Sequence, residues 1–384
     1  MKILHINWSG RLGGAERFVC SLALYQKAED RRQKTEGRRQ RTVNRITIAY
    51  MSDKSVLGVE TESKDIKVVE FKMRSGFDIL NFIRYVFFIL REQFDVIHDH
   101  NGPPLVRLSK LFSRRSIFIQ HIHGTKFGNQ KWERSYVILW NRLTCGLVDH
   151  YIANSSHTKK IVSAKENIPL SRISVVYNGI DLAEFTGIGD DKRISIRKEL
   201  GLAENEWVVG IVGRLTLQKG IDKFIQVAES FFFNKNMRFV IVGEGEIREE
   251  LERLVKSKGL TGRVIFTGGR KDISAVLKIF DIFLLTSNWE PFGIVLVEAM
   301  ASGIPVVAFN VDGVSEVVDE GCGMLIPPDI DEAVKSILFL KENPSVARQM
   351  AINGLKLANQ KFDIQRKVKE IEDIYLSLYK SSRV

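Results

Sequence analysis

The stretch "DIFLLTSNWEPFGIVLVEAMASGIPVVAFN", residues 281–310, reads as a strand, a loop, a helix and a second strand. "DIFLLTS" and "IPVVAFN" are short continuous apolar runs, the pattern of strands covered on both faces of a sheet. Between them "NWEPFG" carries the Pro and Gly of a loop, and "GIVLVEAMASG" predicts a helix from about Gly293 to Ser302. Strand, helix and strand in that order make a parallel α/β unit. The same alternation extends backwards through "WVVGIVGRL", "RFVIVGEGE" and "VIFTGG". An earlier series, "KILHIN", "RITIAYMS", "DVIHDH", "SIFIQHIH", "HYIANS" and "ISVVYNG", is separated by helical patterns at 14–27, 78–92, 131–146 and 156–167.

The two series meet at the polar "FTGIGDDKRISIRKELGL". The expected fold is therefore α/β with two Rossmann-like domains, residues 1–185 and 186–362. A last helix, 363–384, has no strand after it and is expected to return to the first domain. A chain of 384 residues is long enough for two cores.

Composition excludes several classes. An apolar fraction of 44% with 27% charged residues is ordinary for a globular protein, not a disordered one. Cys20, Cys145 and Cys322 are scattered and form neither a disulfide framework nor a CxxC zinc pattern, which suits a reducing compartment. "MKILHINWSG" lacks the apolar stretch of a signal peptide, and "FDILNFIRYVFFILREQF" (77–94) is too short and too charged to span a bilayer. A soluble, cytoplasmic protein is expected. Charge is unevenly spread: residues 1–180 carry 30 Lys and Arg against 16 Asp and Glu, a net +14, and the remainder 27 against 30, a net −3. Such asymmetry points the first half at a polyanionic or membrane-surface partner, although the run 27–45 taken alone reads as a solvated loop.

Ligands of such sheets bind outside the carboxyl ends of the strands. "GIVGRLTLQKGID" places Arg214 and Lys219 between a strand and a helix, a fork of donors and a compact cation suited to a diphosphate. "GRLGGAER" supplies Gly13 and Gly14 for close backbone approach to a phosphate, although it is not GxGxxG. The first N–H groups of the helix in "EPFGIVLVE", at Phe292, Gly293 and Ile294, make an anion site. Glu290 before it is placed for hydroxyls of a group attached to that anion, and Glu298 for both hydroxyls of a ribose. The ligand so described is a nucleotide diphosphate sugar.

E-P-F-G-x4-E with G-R-L-x3-K-G resembles the E-x7-E motif of the retaining glycosyltransferases of family GT4, which have the GT-B fold. The resemblance runs through "GGAE", "HIHG", "VVYNGID", "VGEGE" and "PVVAFNVDGVSEVV". It implies two Rossmann-like domains facing across a cleft, the first binding acceptor and the second donor. It gives Glu290 the donor sugar, Glu298 the ribose, Arg214 and Lys219 the diphosphate, and Phe292 to Ile294 sugar and phosphate through their backbone. Gly13 and Gly14 would border the phosphates, and His123 would contact the transferred sugar. It implies a retaining hexosyltransferase using a UDP- or GDP-sugar, with no cofactor and no metal.

His98 and His100, like His121 and His123, alternate on one strand face, a spacing open to zinc. No Cys accompanies them and Asp99 points to the opposite face, so no metal site is expected; His98, His100 and His121 read as structural or acceptor-side residues. A nicotinamide dehydrogenase is disfavoured by the lack of GxGxxG, and a nucleic-acid-binding module by the lack of aromatic interleaving. A GT-B epimerase, a non-catalytic polyanion-binding protein and a transferase with a soluble small-molecule acceptor stand as alternatives. The favoured acceptor is a glycan or glycolipid of the cell envelope, reached by peripheral association with an anionic membrane.

Overall fold

The structure is a computed structural model that describes residues 1–10, 13–35, 45–124 and 133–381, the side chains of 30–35 and 133–136 excepted. Most of the basic run 27–45, and Thr125 after "HIHG", lie outside the described residues. The chain divides into two compact units, Met1–Ile180 with Ile364–Val384, and Asp181–Asp363. The first break falls five residues before the sequence boundary, ahead of a short turn in which Asp181 accepts a hydrogen bond from the Ala183 N–H at 3.1 Å.

The first unit is a seven-stranded parallel sheet in the order β3-β2-β1-β4-β5-β6-β7. Its strands are β1 (Lys2–Asn7), β2 (Arg45–Tyr50), β3 (Lys67–Glu70), β4 (Val96–Asp99), β5 (Ile117–Ile122), β6 (His150–Ala153) and β7 (Ile173–Val175). One face buries Leu4, Ile6, Ile97 and Phe118 against Tyr85 and Phe88 of the helix Ile79–Glu92. That helix starts because the Asp78 carboxylate accepts from the Asn81 N–H at 3.2 Å, and it stops at Gln93, whose left-handed backbone ends the turn. The opposite face buries Ile3, Val96, Ile119 and Ile152 against Phe18 and Leu22 of the helix Gly14–Thr35.

The last helix, Ile364–Ser381, returns to this face for a reason visible in its spacing. Ile364, Val368, Ile371 and Tyr375 recur every three to four residues, and that stripe is fully buried in the same cluster.

The second unit is a six-stranded parallel sheet ordered β10-β9-β8-β11-β12-β13. Its strands are β8 (Trp207–Val212), β9 (Met237–Val242), β10 (Val264–Gly268), β11 (Ile282–Leu285), β12 (Val306–Phe309) and β13 (Met324–Ile326). In both units the chain enters mid-sheet, works to one edge and then crosses to the other half. The crossings put switch points between β1 and β4 and between β8 and β11, where ligand crevices of such sheets lie.

The sequence reading lacks β3, β13 and the helices Ser55–Ser63 and Ile330–Glu342, and it takes the helix Asp190–Glu199 as part of the polar connection. β3 is an edge strand of four residues, "KVVE", none of them fully buried. A run that short carries no period.

Candidate active site

In the second unit, the loops after β8 and β11 meet at the switch point. Lys219 ends the short 3-10 turn Leu217–Lys219, and Gly220 follows with φ +56°. A Cβ on Gly220 would sit 2.1 Å from the Thr286 carbonyl oxygen, so only glycine lets the two loops touch. They are then stitched: the Thr286 hydroxyl donates to the Gly220 carbonyl at 2.8 Å, the Asn288 N–H to the Gln218 carbonyl at 2.8 Å, and the Gln218 side chain to the Trp289 carbonyl at 3.2 Å.

This stitching brings together two side chains that sequence reasoning gave to different parts of the ligand. The Lys219 ammonium donates to Glu290 Oε2 in a close ion pair, with both side chains largely shielded. The Ser287 hydroxyl donates to the same oxygen at 3.2 Å. Glu290 is also held by its backbone: its N–H donates to Asp312 Oδ2 at 2.9 Å, and its carbonyl accepts from the Gly313 N–H at 3.0 Å. Sequence reasoning missed Ser287 and Asp312. Ser287 was inside the opening stretch but has no distinguishing neighbour. Asp312 sits 22 residues from Glu290 and has a left-handed backbone, φ +47°, the one local sign that it is not an ordinary loop acid.

The helix after this loop runs Ile294–Ala301, and Gly293 caps it at φ +87°. A helix that starts there leaves its first N–H groups without intrahelical acceptors and directs the positive end of its dipole outward. Glu298 is buried one turn inside, and Phe292 is buried against Phe362 with ring centroids 5.9 Å apart. Arg214 stands apart from the Lys219–Glu290 pair. It is exposed, and its guanidinium makes no hydrogen bond or ion pair among the described residues.

In the first unit, Gly13 precedes the helix Gly14–Thr35 after β1, and its carbonyl accepts from the Arg17 N–H at 2.9 Å. The strand register puts five histidines on one sheet face: His5 lies opposite His98, and His98 opposite Ile119, two residues before His121. His123 directly follows β5, and both its ring nitrogens are engaged within this unit. Nε2 lies 3.0 Å from His100 Nδ1, and Nδ1 lies 3.2 Å from Asn178 Oδ1. A sugar hydroxyl can reach His123 only by exchanging with one of these partners. Burial pulls the His5 and His123 values down to about 4, opposed by the hydrogen bonds to Gln26 and Asn178 respectively. His98, His100 and His121 lie well below the usual imidazole value, first through burial and then through the neighbouring rings.

Residues 192–357 match the family described as glycosyl transferases group 1, and residues 38–184 match glycosyltransferase family 4. The lipopolysaccharide core biosynthesis mannosyltransferase LpsB of Rhizobium meliloti is 30% identical over 250 residues, 62% of this chain and 68% of that protein. The chain belongs to the family 4 glycosyltransferases. This glycosyltransferase is also 28% identical, over 78% of its length and 80% of the relative's, to the Escherichia coli UDP-Gal:alpha-D-GlcNAc-diphosphoundecaprenol alpha-1,3-galactosyltransferase. Among solved structures, Anabaena HepE in complex with UDP-glucose superposes with a TM-score of 0.83 at 25% identity, covering 98% of this chain and all of that one. The two Rossmann-like sheets described above are those of the GT-B class.

Proposed function

We propose that this glycosyltransferase is a retaining hexosyltransferase that takes a UDP- or GDP-sugar and delivers the sugar to a glycan or glycolipid acceptor of the cell envelope. The observation that carries this reading is the Lys219–Glu290 pair, pinned at the β8/β11 switch point beside a helix start, with the unpaired Arg214 on the same loop. Lys219, Arg214 and the helix end supply positive charge for a diphosphate. Glu290, the acid that Lys219 already holds, is placed to accept from hydroxyls of the sugar on that diphosphate. Glu298 takes the ribose, Phe292 to Ile294 add backbone contacts, and Gly13 and Gly14 border the phosphates.

In transfer with retention the bond from the anomeric carbon to the phosphate oxygen breaks, and the bond to the acceptor oxygen forms on the same face. The acceptor proton passes to the leaving phosphate. Negative charge grows on the diphosphate, where Arg214, Lys219 and the helix end stabilise it without a metal ion. The test is nucleotide diphosphate release from UDP- and GDP-sugars, with lipid-linked and soluble acceptors, in EDTA. Acceptor-dependent release that survives EDTA is expected. No release from any donor rejects the reading, and release abolished by EDTA rejects the metal-free part.

The two acids are separable. Glu298→Gln is expected to weaken binding of bare UDP or GDP in calorimetry by roughly tenfold, the scale of one charged hydrogen bond. Glu290→Gln is expected to spare that affinity and to lower turnover. Equal loss of nucleotide affinity in both variants rejects this division of roles.

Membrane contact is supported by the helix Ile79–Glu92. Its buried face is Phe82, Tyr85, Val86, Phe88 and Ile89, while Leu80, Ile83, Phe87 and Leu90 are exposed, with Leu80 at 78% and Phe87 at 69%. Arg84 and Arg91 are exposed on the same element, with Lys72 and Arg74 just before it. No helix among the described residues is long and apolar enough to cross a bilayer. An apolar stripe edged by cations fits one that lies on an anionic surface, where each cation adds about 1 kcal/mol. Flotation with anionic vesicles at low salt, lost at high salt and weakened in Phe87→Ser, is the expected result. Equal indifference to anionic and neutral vesicles rejects it and favours a soluble small-molecule acceptor.

A further inference from the structure

Three imidazoles of the first unit make a continuous line of contacts. His5 Nε2 lies 2.8 Å from Gln26 Oε1, His5 Nδ1 lies 3.0 Å from His100 Nε2, and His100 Nδ1 lies 3.0 Å from His123 Nε2. The line ends with His123 Nδ1, 3.2 Å from the Asn178 side chain. The rings also form two triads, His5–His98–His100 and His100–His121–His123, with one nitrogen from each ring within 4.8 Å of the others, while His121 packs on His123 with centroids 4.1 Å apart and His98 on His100 at 4.0 Å. The nitrogen separations along the line are those of single hydrogen bonds.

Counting protons leaves two directions. Three neutral imidazoles carry three N–H groups. Two occupy the links between rings, so only one end of the line can receive the third. Both ends present an amide oxygen, and the closer of them, Gln26 Oε1 at 2.8 Å against Asn178 Oδ1 at 3.2 Å, is assigned the hydrogen on His5 Nε2. His100 and His123 must then also donate from Nε2. His123 Nδ1 is left as an acceptor, met by Asn178 once its amide is turned to present the N–H2 group.

We propose that His5, His100 and His123 form one directed hydrogen-bond chain, each donating from Nε2, and that Gln26 at its far end is a positioning residue that fixes which nitrogen of His123 carries the proton. The catalytic consequence rests on the reading that His123 contacts the transferred sugar. Other groups face the chain. His98 packs on His100 and His121 on His123, Phe18 covers the line, and the Tyr375 hydroxyl contacts both His98 Nδ1 and the Gln26 side chain at the far end. Burial keeps Tyr375 a neutral phenol, Glu372 lies near that phenol, and the Asp99 carboxylate accepts from the Gly102 N–H at 2.6 Å on the other face.

The experiment uses the full chain labelled with 15N-histidine and long-range 1H–15N spectra at neutral pH, with His123 assigned by its loss in His123→Gln. The wild type is expected to show His123 with a protonated Nε2 and a bare Nδ1. Gln26→Leu is expected to shift His123 toward protonated Nδ1, and Gln26→Glu, which keeps the acceptor, to leave it unchanged. A protonated Nδ1 in the wild type overturns the chain without any variant. So does a His123 signal that ignores Gln26→Leu in folded protein. With the donor that wild type turns over, Gln26→Leu is expected to lower kcat roughly tenfold or more while sparing nucleotide affinity. A shifted tautomer with unchanged kcat overturns the positioning role alone. Full turnover in His123→Gln instead overturns the sugar-contact reading and leaves the chain standing.

Discussion

Arg214→Ala and Lys219→Ala each lower turnover on the order of a hundredfold or more, the scale of losing one preorganised group at developing charge. The two variants differ in what else they do. Arg214 is exposed and its guanidinium makes no hydrogen bond or ion pair among the described residues, so its loss leaves thermal stability unchanged. Lys219 is paired with Glu290, whose side chain is 7% exposed. Removing Lys219 leaves that carboxylate without its counter-ion, and stripping one partner from a shielded pair costs about 3 kcal/mol or more. Steady-state kinetics with a thermal melt of each variant therefore gives two signatures: activity loss alone for Arg214→Ala, and activity loss with a lowered Tm for Lys219→Ala. Unchanged kinetics in both variants contradicts the diphosphate assignment.

The second large effect is acid lability of the first unit. His5 and His123 have folded values of about 4, and His98, His100 and His121 lie well below the ordinary value of 6.5. Below pH 6.5 the unfolded chain takes up protons that these buried rings refuse, so it binds more protons than the folded chain. Stability is complete above 6.5 and falls as pH drops toward 4 and below. A ring whose folded value stays near 4 removes about 1.4 kcal/mol per pH unit across that window, so His5 and His123 alone remove about 4 kcal/mol by pH 5, and the other three rings add to the same slope. Urea unfolding at a series of pH values, followed by fluorescence, is expected to show a steep loss of midpoint from pH 6.5 downward. His121→Phe is expected to flatten the slope by about one proton, because neither ring nitrogen of His121 has a hydrogen-bond partner among the described residues and Phe fills a similar shape. A midpoint that stays level from pH 7 to pH 5 contradicts the reading of the cluster as neutral.

The architecture was legible because buried parallel strands and amphipathic helices write different periods. "IFLL" and "VVAF" are continuous apolar runs, whereas Ile364, Val368, Ile371 and Tyr375 repeat at helical spacing. Edge elements such as β3 were not legible, since half-exposed strands of four residues carry neither signal. At the site, the positions of Arg214, Lys219, Glu290 and Gly293 around the ends of β8 and β11 followed from strand-loop-helix order. The Lys219–Glu290 contact did not, because 71 residues separate the partners and only the Gly220–Thr286 approach brings them together. The histidine chain was hidden for a similar reason. Alternation within β4 and β5 was visible, but the link to His5 depends on β1 lying beside β4, and the link to Gln26 on how a helix packs over them.

On the proposed function, a nucleotide sugar is cleaved at this switch point and its sugar passed on with the anomeric configuration kept. Proton NMR of the product formed from an α-linked UDP- or GDP-sugar tests it most directly, through the coupling constant of the new anomeric proton. An α linkage formed in step with nucleotide diphosphate release is expected, with both slowed together in Arg214→Ala; a β linkage in the first product excludes retention.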